Sequence, residues 1–268
     1  MPTTVERGGA PGLTYISQYN AYSAEREMYP EEELGNPIYG QRETATMYFD
    51  NVFIPWEHVF HCGETQYSGR LVTRFAKAHR MNCGGACKVG FADLIIGGSL
   101  LAAESIGVEK LPHIQEKIVE MLRYSETSHA CAIAAAMRGK EEPQGSGVFL
   151  PDDLFGNAAK LNTAHGFYEI IKYAGDIGGG LVVTMPRQMD LQDPEVGPML
   201  KKAFAAAAPA EKRLKIAKFL QHWSAGLHGP GTWHGAGAPQ TQRYMITVLT
   251  DFEAKKKLAA KLMGLKDD

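Results

Sequence analysis

Thr46-Met47-Tyr48-Phe49-Asp50-Asn51-Val52-Phe53-Ile54-Pro55 is the stretch on which the division of this chain turns. Aromatic and β-branched residues alternate through it, the pattern of a pleated, half-buried surface. Asp50-Asn51 interrupts the alternation and predicts a short hairpin or a bent edge strand, and Pro55, which has no amide to donate, ends the ladder. Strand-like sequence extends from about residue 13 to residue 62. From about Tyr67 the character changes to long helical windows, Arg74 to Ser105, Pro112 to Met137, Pro151 to Ala174, Pro194 to Ala207, Ala210 to Leu227 and Pro239 to Met263. Proline at or near the first helical position, with Asp152, Asp193 and Glu195 close to helix starts, marks several of these beginnings. Ile114, Ile118, Met121 and Leu122 fall at helical spacing, as do Leu214, Ala217, Phe219 and Leu220, and both sets read as core stripes. The expected fold is mainly α, with residues 1–66 forming a partial β-domain and residues 67–268 a C-terminal helical bundle. A β segment that short cannot cover both its faces and its edges. Another chain or a missing N-terminal portion is therefore expected to complete it.

The bulk composition narrows the function classes. The chain has 268 residues, 44% of them hydrophobic, and a formal charge of -2 made of mixed signs. No basic run or face supports a nucleic-acid partner. The first residues lack both a basic and an apolar region of the kind that directs secretion, and no window reaches the roughly 18 uninterrupted apolar residues of a membrane span, so a cytoplasmic location without membrane partners is expected. Cys62, Cys83, Cys87 and Cys131 are too few and too unevenly spaced for a disulfide scaffold, which leaves free thiols or metal ligands.

Four segments carry a family resemblance. Tyr48 to Glu57, reading Tyr-Phe-Asp-Asn-Val-Phe-Ile-Pro-Trp-Glu, resembles the end of the middle β-domain of acyl-CoA dehydrogenase-like flavoproteins. His79-Arg-Met-Asn-Cys-Gly-Gly-Ala-Cys-Lys-Val-Gly90, Asp176-Ile-Gly-Gly-Gly-Leu-Val-Val-Thr184 with Pro194-Glu-Val-Gly197, and His234-Gly-Ala-Gly-Ala-Pro-Gln240 follow in an order and separation similar to the C-terminal part of the 4-hydroxybutyryl-CoA dehydratase and 4-hydroxyphenylacetate hydroxylase group. The resemblance implies a helical bundle of acyl-CoA dehydrogenase-like type, FAD bound between β-domain and bundle, and a tetrameric assembly. In the dehydratase branch it also implies a 4Fe-4S cluster, held by a Cys-x-x-x-Cys pair of the N-terminal domain and by one His and one Cys from the segment matching Arg74 to Gly90. The hydroxylase branch has no cluster.

The resemblance transfers residue by residue. On an α-helix, positions four and eight apart lie about 40° and 80° round the axis, so His79, Cys83 and Cys87 would share one face. Imidazole and thiolate both suit an iron-sulfur cluster. The dehydratase pattern places six residues between the ligand His and a Cys-Lys pair, whereas seven separate His79 from Cys87-Lys88, and Cys83 stands where the family has tyrosine. Either Cys87 remains the ligand beside a one-residue insertion at Gly84 to Ala86, or Cys83 has taken the role. The other ligands would come from the missing half. Glu43 approximately matches a catalytic glutamate of the family. A second family glutamate has no counterpart, because no Asp or Glu occurs between Lys212 and Thr250. His228 and His234 are the titratable residues there, and Lys88 would meet a thioester carbonyl. Gly178, Gly179, Gly235 and His234 are the candidate points of flavin approach, since glycine lets a loop amide come close to a ring or phosphate. The implied function is dehydration of a 4-hydroxyacyl-CoA, with a double-bond isomerase activity. The rival readings are a reduced-flavin-dependent aromatic hydroxylase component and a structural subunit without chemistry of its own.

Overall fold

The computed structural model describes residues 5–7, 9–17, 45–225 and 228–265. Its fold is mainly α, as the sequence predicts, with few and short strands. The chain resolves into two compact units, one of residues 1–72, 92–122 and 168–231, the other of 73–91, 123–167 and 232–268.

The first unit contains the β segment. Strands β1 (Val5–Arg7), β2 (Leu13–Ser17) and β3 (Ala45–Phe49) form an antiparallel sheet in the order β1-β2-β3. Leu13 pairs with Phe49 and Ser17 with Ala45. β3 is shorter than the alternation predicts. Asn51 enters the left-handed region at φ 50°, where Asn is tolerated better than most residues, and the strand ends before it. The Asp50 amide instead donates to Gly12 O at 2.9 Å. Gly12 has φ 84°, and a Cβ there would lie 2.1 Å from Asp50 O, so only glycine lets the two segments approach. All five residues of β3 are exposed. Phe53, Trp56 and Phe60 follow it, Phe60 being 97% exposed.

The helices that begin next are α1 (Ser68–Asn82), α2 (Lys88–Ile106), α3 (Pro112–Met137), α4 (Asp153–Gly178), α5 (Leu181–Thr184), α6 (Gly197–Phe204), α7 (Ala210–Ala225), α8 (His228–His234), α9 (Pro239–Leu249) and α10 (Phe252–Met263). A two-residue pair, β4 (Lys140–Glu141) with β5 (Phe149–Leu150), closes the turn between α3 and α4. The Pro239 to Met263 window is broken at Asp251, whose carboxylate accepts from the Ala254 amide and starts α10 as an N-cap. α8 was not foreseen, because His228-Gly-Pro-Gly reads as a turn.

Within the first unit, Leu191, Ala210 and Leu214 form a buried cluster, packed by Leu181, Met185, Leu200 and Phe204. Leu214, Ala217 and Leu220 of one expected stripe are buried and Phe219 is partly buried; Ile114, Ile118 and Met121 of the other are buried, whereas Leu122 is exposed. Gly98 admits Phe219, whose ring a Cβ would meet at 2.6 Å. Thr65–Ile106 is a stretch long and apolar enough, by length and composition, to cross a membrane, and half of its apolar window is buried. A core helix meets the same criterion.

Leu214→Ala should destabilise the protein by about 2–5 kcal/mol, since the deleted atoms leave a cavity among Leu191 and Ala210. Lys215→Ala on the exposed face of the same helix should stay within about 0.5 kcal/mol. Urea unfolding of the two variants beside the parent measures both.

Candidate functional site

The second unit brings two of the sequence motifs together. Between α1 and α2, Cys83–Cys87 forms a single π turn, with the Lys88 amide donating to Cys83 O five residues back. Glycines make this possible by letting two neighbouring helices come close. A Cβ on Gly84 would lie 2.7 Å from the Lys160 backbone of α4, and one on Gly85 would lie 2.0 Å from the Ala132 Cβ of α3. Such distances are far inside contact, so both positions are closed to side chains.

A π turn is the form a helix takes when one residue is inserted. Its angular effect decides which side chains face together. An α-helix advances about 100° per residue, so positions seven apart differ by about 20° and positions eight apart by about 80°. The π segment advances only about 80° per residue. Summed from His79 to Cys87, the rotation returns to within roughly 20° of its start. His79 and Cys87 are both exposed, while Cys83 is buried, at 7% relative exposure. The single α-helical face expected for all three residues is therefore replaced by a pair, His79 with Cys87, and an inward-turned Cys83. Phe75 packs edge-on against the His79 ring at 5.8 Å. Among the described residues no three His, Cys, Asp or Glu side chains converge as a complete metal site. His79 and Cys87 are the exposed imidazole and thiol flanking this turn.

α1 is anchored just before this turn. The Arg80 guanidinium reaches Asp153 at 3.9 Å, both side chains being buried. Asn157 donates to the Asp153 carboxylate at 2.9 Å. Burial pushes the Asp153 carboxyl above its ordinary range, although Lys77, Arg80 and Asn157 oppose the shift.

Lys160 joins the π turn to the glycine loop. Its side chain is fully buried, and Nζ donates to Thr232 O at 2.8 Å and to Trp233 O at 3.4 Å, the last-turn carbonyls of α8. A cation is well placed at a helix C-terminus. Desolvation nevertheless dominates and pushes the ammonium down to about 8; the Cys83 thiol raises it and Lys88 lowers it further. Lys88 itself is buried, with Nζ 4.5 Å from the Phe91 ring centroid. It does not snorkel to solvent.

His234 ends α8 and is exposed; its carbonyl accepts the Gly237 amide at 3.1 Å, closing the loop that contains Gly235. Ala236 and Gly237 both adopt positive φ. Buried Gln242 donates to Ala236 O and Gly237 O and leaves Oε1 without a partner. Beside it, the Arg243 guanidinium donates to His165 Nε2 at 2.9 Å, which requires the neutral ring. Burial, Arg243 and Lys160 accordingly push the His165 pKa down.

The remaining candidates fall elsewhere. Gly178 and Gly179 lie in the first unit at the end of α4. A Cβ on Gly178 would meet Val182 at 2.4 Å, and Gly179 takes φ 65° as a left-handed helix stop. Packing and capping account for both. His228 is buried and stacks on Trp223 at 4.0 Å. Glu43 lies outside the described residues. Lys160 escaped the sequence reading, although a signal was present: Asp153, Asn157 and Lys160 share the helical stripe of Ala164, Phe167 and Ala174, so three polar residues sit on a core face.

Comparison with known proteins places these features in a family. The family model "4-hydroxyphenylacetate 3-hydroxylase C terminal" (HpaB) matches residues 68–264, and the chain belongs to this family. It is 40% identical over 248 residues to the 4-hydroxybutyryl-CoA dehydratase/vinylacetyl-CoA-Δ-isomerase of Clostridium aminobutyricum, covering 87% of this chain and 50% of that protein. The oxygenase component of a 4-nitrophenol 4-monooxygenase from Rhodococcus opacus is 26% identical, over 90% of this chain and 44% of its own length. Among solved structures, the oxygen-tolerant archaeal 4-hydroxybutyryl-CoA dehydratase from N. maritimus superposes with a TM-score of 0.89 at 38% identity, over 97% of this chain and 52% of its own. The HpaB oxygenase bound to FAD and 4-hydroxyphenylacetate gives 0.81 at 21%, over 95% and 53%, a likeness of fold. The chain spans about half the length of the relatives it matches.

The Lys160 ammonium titrates near 8 in the folded protein and near 10.5 when exposed. The unfolded chain therefore holds the extra proton between these values, and stability from this group rises with pH through that window. Between pH 7.5 and 9.5 the gain should be about 2 kcal/mol. Urea unfolding at the two pH values should show this slope in the parent and its loss in Lys160→Met.

Proposed function

We propose that this chain is the C-terminal part of a 4-hydroxybutyryl-CoA dehydratase-like flavoenzyme, dehydrating a 4-hydroxyacyl-CoA and isomerising the double bond of a vinylacetyl-CoA type product. The observation that carries the reading is the π turn. It absorbs the extra residue between His79 and Cys87 and returns the pair to the angular relation that seven-residue spacing has in the dehydratase pattern. A hydroxylase without a cluster has no use for that relation. The relative with 40% identity is a dehydratase and the hydroxylases are more distant, which supports the same choice.

The reading assigns Cys87, rather than Cys83, as the cluster ligand beside His79. Two further ligands come from another domain or a partner chain. A complete enzyme would then hold FAD and a 4Fe-4S cluster, which together supply the one-electron chemistry that makes an unactivated β-proton removable. The chain's own residues place and protonate. Lys88, buried beside Phe91, presents a positive charge to a thioester carbonyl. His234, exposed at the end of α8, is the proposed proton donor, and Glu43 is the proposed base. Gly235 and His234 form the flavin-facing part of the loop. The partner portion covers the exposed β3 and the aromatic run Phe53, Trp56 and Phe60. A tetramer in the cytoplasm completes the proposal.

Iron and acid-labile sulfide should be measured after anaerobic co-expression with the completing half. His79→Ala and Cys87→Ser should each lose most of the iron and reduce dehydration at least a hundredfold, whereas Cys83→Ala should keep the iron. A purely yellow, iron-free parent complex that dehydrates the thioester would defeat the cluster assignment. Hydroxylation of a phenol by that complex with reduced flavin and oxygen would establish the rival activity.

A further inference from the structure

A return from π to α pairing leaves one backbone carbonyl with no helix amide. Here the Lys88 amide has gone to Cys83 O, and Gly84 O takes its hydrogen bond from Thr163 Oγ1 of α4 at 2.6 Å. Thr163 Oγ1 also lies 2.7 Å from Ser128 Oγ of α3. Asn162 Nδ2 donates to Ser128 Oγ at 2.8 Å and to Tyr124 O at 3.1 Å. A hydroxyl carries one hydrogen. Since that of Thr163 is spent on Gly84 O, the Ser128 hydroxyl must donate to Thr163, and Asn162 must supply Ser128. The chain of donation runs one way, from Asn162 through Ser128 and Thr163 to Gly84 O. Thr163 and Ser128 are buried, so water does not replace a missing link.

We infer that Thr163, oriented by Ser128 and Asn162, is a positioning residue that holds the widened turn in place and thereby keeps Cys87 aligned with His79 and Cys83 turned inward. A π turn can otherwise slide along its helix, since each neighbouring carbonyl could be the one left over. Sliding by one residue would carry the freed carbonyl away from the Thr163 hydroxyl and change the rotation at Cys87 by about 20°. Gly84 and Gly85 let the turn reach α4 and α3, and the Thr163 hydroxyl fixes which carbonyl is released. The alignment matters for ligation only under the function proposed above. The locking of the turn does not depend on it.

The test uses the full chain purified with its completing half. Thr163→Val keeps the shape and removes the hydroxyl; Thr163→Ser keeps the hydroxyl. Hydrogen exchange resolved by mass spectrometry should show protection of the segment 84–90 falling at least tenfold in Thr163→Val and staying within threefold in Thr163→Ser. Iodoacetamide labelling of Cys83 should rise at least tenfold in the valine variant, with exposed Cys62 as an unchanged reference. Ser128→Ala, which leaves Thr163 in place, should give a smaller loss in the same direction and serves if the valine variant does not fold. Deletion of Ala86 removes the extra residue, and in that background Thr163→Val should no longer change the exchange of this segment relative to Thr163. Equal protection in the valine and serine variants, or an undiminished valine effect after the deletion, would overturn the inference. Iron loss without a change in exchange would count against it in the same way, while unchanged iron with the expected exchange pattern would speak only against the ligand assignment.

Discussion

The close approach of Gly84 to the Lys160 backbone and of Gly85 to Ala132 is the constraint on which the candidate site depends. Two glycines allow three helices to meet without side chains between them. Small residues at Ala132, Ala135, Ala159 and Ala164 continue that contact, all of them buried. Backbones brought this near expose their polar groups to one another, so the carbonyl freed by the π turn finds a hydroxyl within reach, and a buried ammonium finds the end of α8. The polar network follows from the close packing. A bulkier residue at either glycine would part the helices and leave Gly84 O and the α8 carbonyls without donors, and buried unpaired groups of this kind are expensive.

Charge is handled unusually in this region. Lys160 is fully buried and has no carboxylate bonded to it among the described contacts; its bonds go to backbone carbonyls of Thr232 and Trp233. Arg80 faces Asp153 only at 3.9 Å, and the guanidinium Nε has no hydrogen-bond partner. Arg243 faces a neutral imidazole.

Much of the architecture was legible in the sequence because helical periodicity is long-range and redundant. Leu214, Ala217 and Leu220, or Ile114, Ile118 and Met121, each repeat the same statement, so the loss of Leu122 from the buried set changes nothing. The short β3 was less legible, since its end depends on a single left-handed residue at Asn51. The extra residue between His79 and Cys87 could be counted, but its outcome could not be read from spacing, because an insertion can be looped out, absorbed as a π turn, or left to rotate the helix. Only the neighbours Thr163, Ser128 and Lys160 choose among these, and they are far from the turn in sequence, Thr163 being 79 positions from Gly84. Lys160 was overlooked for a related reason: a lysine on an otherwise apolar stripe is expected to reach solvent, and its actual partners are loop-side carbonyls that no pattern announces.

The widened turn also has a consequence for the helix that follows it. An insertion inside a helix ordinarily turns everything after it by about 100°, which would expose one side of the core and bury the other. Here the disturbance is confined to Cys83–Cys87, and Val89, Ala92, Ile95 and Ile96 still face inward. An extra residue is thus accommodated at this place without turning the inward face of the helix that follows.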